Sequence, residues 1–370
     1  MSNLAKQITL NNGAVLKNSV VMAPMTTWAS NDDYTVSEGE LAYYHYRNTG
    51  AGMMITGCTH IQENDIGFAN EFAAYDDKFL PGLKQLAAAI KENGAKAILQ
   101  INHAGNKALP DLFEGEVVSS SSVETKATDF APALKPKELT EEEIAAIIRD
   151  FGETTRRAIE AGFDGVEIHG AHGFLLQNFV SPFFNKRQDK WGGSLENRLR
   201  FPVAVVTEIK RVINEYAKED FILGYRVSPD EPMEGALRMT DTYALVDRLI
   251  DMGVTYIHAS LPDALHAKPV DATDDVTYLE ALSQYINQRV LMVAAGMIQT
   301  PQQAEAVLEK GALPAIGHGF VTEPLWMEKA EAGRGDDIRL SIKTTDVADL
   351  HLPEKMWTAI QNSGDWFTIE

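Results

Sequence analysis

Cysteine is nearly absent. Cys58 stands alone in 370 residues, so no intrachain disulfide can form and a reducing, cytoplasmic setting is expected. Long apolar runs are missing too: nothing approaches the roughly 18 residues of a membrane helix, so no membrane partner is expected. The opening stretch MSNLAKQITLNNG has no apolar segment behind a basic one, and no secretory leader is expected. Basic residues are the minority, 33 Lys and Arg against 53 Asp and Glu. The resulting net charge of −20 argues against nucleic acid or anionic lipid as partner. A phosphorylated small molecule is still compatible, because backbone amides hold phosphate locally whatever the global field.

Apolar material is plentiful, at 45% of residues, and it is cut into short pieces. β-branched or apolar runs bounded by glycine or polar residues begin near Val20, Met53, Ala97, Val166, Ile222, Tyr256, Leu291 and Ala315. Helical patterns separate them: 39–47, 80–93, 140–161, 197–218, 240–252, 278–288, 300–310 and 323–332. Thr140 with Glu143 makes a capping box, and Asn93-Gly94 and Lys310-Gly311 are helix stops. Eight strand–helix units predict a single α/β domain over residues 1–340, a closed (β/α)8 TIM barrel with its site at the strand C-terminal ends. An open doubly wound sheet is the second choice, weakened because no G-x-G-x-x-G follows the first strand. The turn Asn11-Asn12-Gly13 predicts an N-terminal lead-in hairpin that plugs the barrel bottom. A long loop after strand 3, residues 103–139, reads as a lid. The C-terminal extension, 341–370, carries Trp357, Trp366 and Phe367, which would pack on the barrel or on a neighbouring subunit.

The most informative stretch is GVEIHGAHGFLLQNFVSPFFNKRQDKWGGSLENR, residues 165–198. Val166 and Ile168 read as a buried strand end, and Gly170 and Gly173 free the backbone to aim His169 and His172 at one point. Such a pair can donate two hydrogen bonds to one oxygen or anion, each charge-assisted bond contributing roughly 1.5–3 kcal/mol.

Four segments in order, Val21-Met22-Ala23-Pro24-Met25-Thr26, Gln100-Ile101-Asn102-His103-Ala104-Gly105, HGAHGFLLQNFVSP with its RQDKWGGSLENR continuation, and Gly224-Tyr225-Arg226-Val227-Ser228, resemble the old yellow enzyme family of NADH:flavin oxidoreductases and FMN-dependent ene-reductases. The resemblance runs from about Asn18 to Pro324. It implies bound FMN, with NADH or NADPH as reductant, passing hydride through flavin N5 to an electrophilic small-molecule acceptor: a quinone, a nitro compound or an activated alkene. Ala23, Pro24 and Met25 would press on the ring, and Thr26 would bond the carbonyl near N5. Cys58 falls where a small residue packs beside the ring. Gln100 offers a donor and an acceptor to the pyrimidine edge, while Arg226 would stabilise negative charge at N1 of the reduced flavin. Gly296, Gly317 and His318 would hold the phosphate. His169 and His172 would bind the acceptor, against an aromatic wall formed by Trp28 and Phe174. A homo-oligomer is compatible with the family.

Two positions depart from the family pattern. Phe174 replaces the tyrosine that protonates the substrate carbon, a loss worth roughly 10²–10⁴ in alkene reduction. His318 replaces an arginine at the phosphate, so FMN retention is expected to weaken above neutral pH. A dienoyl-thioester reductase or oxidative demethylase is the alternative within flavoenzymes, and one cysteine excludes their iron–sulfur versions. Outside them stand a flavin-binding protein of low turnover and a metallohydrolase using Glu167, His169 and His172. Against the metal, no further inward histidine or lysine is evident at later strand ends.

Overall fold

The computed structural model describes residues 3–128 and 131–370. Eight parallel strands run β1 (Val21–Met22), β2 (Met53–Ile55), β3 (Lys96–Asn102), β4 (Gly165–Gly170), β5 (Ile222–Val227), β6 (Tyr256–Ser260), β7 (Leu291–Ala295) and β8 (Leu313–Ile316). Each pairs with the next, and β8 pairs back onto β1, so the barrel closes as the eight apolar runs predicted. Alternation sorts their side chains. Val21, Met53, Ile55, Ile98, Ile222 and Val293 fill the interior, while Met22, Met54, Leu99 and Ile168 face the surrounding helices.

The lead-in hairpin pairs Ile8–Thr9 with Val15–Leu16 around Gly13, whose φ of +88° suits a residue without Cβ. Leu10, Ala14 and Leu16 join the interior core. Asn12 Nδ2 donates to the Asp220 and Phe221 carbonyls at 3.0 Å each, which fixes the hairpin beside the start of β5, at the bottom.

Helix boundaries follow local chemistry. Thr140 and Glu143 form the reciprocal capping box ahead of Glu141–Ala161, and Gly162 ends that helix at φ +86°. Two expected helices are divided. The fourth breaks at Leu199 into Leu195–Arg198 and Arg200–Tyr216. The last gives way to His318–Thr322 and Trp326–Glu331, because Pro324 keeps Glu323 extended at φ −138°, ψ 89°. A further helix, Leu175–Val180, lies in the loop after β4.

The loop after β3 holds two short 3-10 turns, Gly105–Lys107 and Pro110–Leu112, and the paired strands Val118–Ser119 and Lys137–Glu138. Residues 129 and 130 of the expected lid lie outside the described residues. The C-terminal segment wraps back on its own barrel. Arg47, fully buried, donates from Nε to the Phe320 carbonyl and from Nη2 to that of Leu350, both at 2.8 Å. Trp366 and Phe367 thereby reach the barrel mouth, 5.7 Å and 4.2 Å from the His318 ring.

Candidate active site

Two adjoining cavities of about 350 and 360 Å³ open at the C-terminal ends of the strands and share Pro24, Met25, His172, Arg226 and Trp366. They form one trench. The first is walled by Thr26, Trp28, Cys58, Gln100, His169 and Phe174, and the second by Ala23, Gly296, Gly317 and His318. Every residue expected from the family resemblance to contact FMN or the acceptor lines one of them.

Register builds the floor. Gln100, Glu167, Gly224 and Tyr256 are partners across β3 to β6, and His169, Arg226 and His258 form the row two residues further along. A Cβ on Gly224 would lie 2.1 Å from the Tyr256 ring, so glycine there lets the phenol stand beneath Glu167. The Glu167 carboxylate accepts from Gln100 Nε2 at 2.7 Å and the Tyr256 hydroxyl at 2.9 Å, with His258 Nδ1 at 2.8 Å. Burial opposes its charge, but His258, Arg226 and Gln100 outweigh that and hold its pKa below the usual value. Gln100 therefore commits an amide N–H to Glu167, and its oxygen faces the Cys58 thiol at 3.5 Å.

Both site imidazoles have pKa values lowered from 6.5, which favours the neutral ring at pH 7. His169 is pushed well below 6.5 by burial and then by His172 and Arg226; its Nδ1 accepts the Ala171 N–H at 3.2 Å, so Nε2 carries the proton. His172 is pushed down by burial, then by Arg226 and Lys107, and its Nε2 lies 2.7 Å from Ser260 Oγ. The rings sit 5.0 Å apart at 74°. The turn is made by His172 at φ +56° and Gly173 at +71°. Gly170 serves a different purpose from the one expected: its Cβ would lie 2.3 Å from the Tyr225 ring.

Arg226 is buried and bonds Ser260 Oγ through Nη2 at 3.1 Å, and its Nε has no partner among the described residues. Cys58 is buried and its thiol pKa is pushed up, first by desolvation, which disfavours the reactive thiolate. Phe174 packs edge-on against Phe68 and His169. At the other end Gly296 has φ +149°, and a Cβ there would meet the Leu261 carbonyl at 2.6 Å.

The sequence profile of the NADH:flavin oxidoreductase / NADH oxidase family matches residues 3–337. The chain belongs to this family. It is 44% identical over 98% of its length, and 97% of the other, to "Probable NADH-dependent flavin oxidoreductase YqiG" of Bacillus subtilis (strain 168). Its fold matches morphinone reductase with TM-score 0.76 at 26% identity, over 90% of both chains. The old yellow enzyme homologue from Zymomonas mobilis matches with TM-score 0.76 at 24% identity, over 90% of this chain and 93% of that one. Family membership implies FMN with a nicotinamide reductant.

Set in this flavin oxidoreductase family, four site residues escaped the sequence reading. Ser260 and His258 lie on β6, and the alternation Tyr256, His258, Ser260 was the available signal. His258 corrects the statement that later strands offer no inward histidine. It is engaged with Glu167, and among the described residues no group of three or more His, Cys, Asp or Glu is placed to hold a metal. Lys107 donates from Nζ to the His172 carbonyl at 2.5 Å, a contact 65 residues apart with no local signature. Phe68 lines the first cavity. The His318 expectation also changes: burial, under Trp366 and Phe367, lowers its pKa below 6.5, so the ring is neutral already at pH 7.

Proposed function

We propose that the trench holds FMN and that the protein is an NADH- or NADPH-dependent reductase of quinones, nitro compounds or activated alkenes. Bound FMN supplies the hydride-transfer chemistry. The observation that carries this reading is the set of polar groups on the floor: a buried guanidinium whose Nε has no partner among the described residues, beside an accepting amide oxygen and two imidazoles with lowered pKa values. An electron-rich heterocycle that gains negative charge on reduction satisfies that set, and an apolar ligand would leave it unpaired.

Residue roles follow. Arg226 and Gln100 bind the heterocycle's polar edge, with Glu167 and Tyr256 fixing the Gln100 amide. Ala23, Pro24, Met25 and Thr26 supply a surface for its face, and Cys58 packs beside it. Gly296, Gly317 and His318 bind the phosphate. His169, its proton on Nε2, donates to the acceptor's oxygen, and His172 donates beside it from Nδ1 when its Nε2 accepts the Ser260 hydroxyl. Both stabilise negative charge as it develops, without themselves changing protonation. Trp28 and Phe174 wall the acceptor site, and Trp366 closes it toward solvent. No helix among the described residues is long and apolar enough to cross a membrane, and the proposal includes a cytoplasmic setting.

Reconstitution tests it. The protein unfolded, stripped and refolded with excess FMN should return with one FMN per chain, and Arg226→Met with less. A protein that takes up no FMN overturns the proposal.

A further inference from the structure

We propose that Lys107 is the proton donor for alkene acceptors, its ammonium standing over the site where Phe174 offers no acid. The inference rests on the reductase reading above.

Reducing an activated alkene needs two additions. One carbon receives hydride from the reduced cofactor, the π pair shifts to the neighbouring carbon and its carbonyl, and that neighbouring carbon must then receive a proton. Among the described residues lining the first cavity few groups could give one. His169 and His172 are neutral, and a neutral imidazole N–H is a very weak acid. The Cys58 thiol is pushed up by burial, and Thr26 and Thr128 carry only alcohols. Lys107 is different. It closes the 3-10 turn after β3, its Nζ lies 5.7 Å from the Phe174 ring centroid, and a Cβ on Gly173 would meet its Cε and Nζ at 3.4 and 3.5 Å. One N–H is held by the His172 carbonyl, which aims the ammonium and leaves two.

The groups around it set its acidity. Burial lowers the ammonium pKa, and Glu231, buried in the loop after β5 and held by Gln177, Ser181 and the Leu237 amide, opposes that from a distance. Arg226 on β5 adds like charge to the same cavity, and His169 and His172 contribute none while neutral. In the step the ammonium N–H bond breaks, its pair stays on nitrogen, and the proton forms the new C–H bond. The free amine, half-buried at the mouth, regains its proton from water.

The test is single-turnover reoxidation of the NADPH- or NADH-reduced, FMN-loaded full chain by 2-cyclohexenone and by menadione, whose reduced form needs no new C–H bond. In Lys107→Met the cyclohexenone-to-menadione rate ratio should fall at least about 10²-fold, the usual worth of a positioned acid. Lys107→Arg should not restore it, since a guanidinium does not release its proton. Lys107→Met/Phe174→Tyr should recover it to within about tenfold. The wild-type ratio should fall as pH rises through the ammonium pKa, and the Met variant should lack that limb. Independently of turnover, the [ε-13C]lysine resonance missing from Lys107→Arg should titrate below the other lysines. A ratio unchanged in Lys107→Met, or fully kept in Lys107→Arg, overturns the proposal while leaving the reductase reading intact. Failure of either nicotinamide to reduce the bound flavin overturns both.

Discussion

Replacing Arg226 by methionine removes a guanidinium that lines both cavities while keeping an unbranched apolar stem. In the native protein Nη2 holds Ser260 Oγ at 3.1 Å and the buried Nε has no partner, so one strong donor is available to a group that becomes negative on reduction. A hydrogen bond from a charged donor contributes about 1.5–3 kcal/mol. For a two-electron couple about 1.4 kcal/mol corresponds to about 30 mV, so the midpoint potential of the bound flavin should fall by about 30–65 mV. A secondary effect works the other way. Arg226 helps keep Glu167 ionised, and without it the Glu167 pKa rises; protonation there would return part of the loss. Anaerobic titration against reference dyes measures the shift, with Arg226→Lys as the charge-keeping comparison, expected to lie between. A midpoint unchanged within about 10 mV, or raised, refutes the assignment of Arg226 to the charge-bearing edge.

His318→Arg should tighten FMN at pH 7 by about tenfold, near 1.4 kcal/mol, because it restores a fixed charge where the wild-type ring is neutral. In the wild type the phosphate favours the imidazolium, so affinity should rise as pH falls through the His318 pKa of the FMN complex, level off below the lowered pKa of the free protein, and stay level from pH 7 to 9; equilibrium dialysis showing a steady loss over that upper range would contradict it. Leu16→Ala, in the hairpin that plugs the barrel, should cost about 2–5 kcal/mol in urea unfolding with the flavin spectrum unchanged, and a loss under about 1 kcal/mol would show that the hairpin does not seal the core. Cys58 should resist iodoacetamide in the native protein at pH 8 and react in urea; rapid native labelling would contradict its burial.

The barrel was legible because parallel strands buried on both faces are written as short continuous apolar runs, and each of the eight lies within two residues of where its run begins. The trench was legible where side chains sit in local motifs: His169 and His172 lie three residues apart at one strand end, Gly296 marks a close backbone approach, and Gly317 lies against the Met25 side chain. What escaped has a common cause. Tyr256, His258 and Ser260 face inward on a strand whose polar residues look like surface positions, and only the register with Arg226 and Glu167 shows what they do. Lys107 is brought to His172 by two loops that fold independently of each other's local pattern. Pro324 was visible, yet its effect on the last helix was passed over because the flanking residues still keep helical spacing.

The most direct measurement is an anaerobic visible spectrum of the FMN-loaded protein before and after stoichiometric NADH or NADPH, followed by menadione. The account predicts bleaching of the bound flavin by at least one nicotinamide and full return of colour with the quinone. A spectrum that neither nicotinamide bleaches, although FMN is bound stoichiometrically, would contradict it.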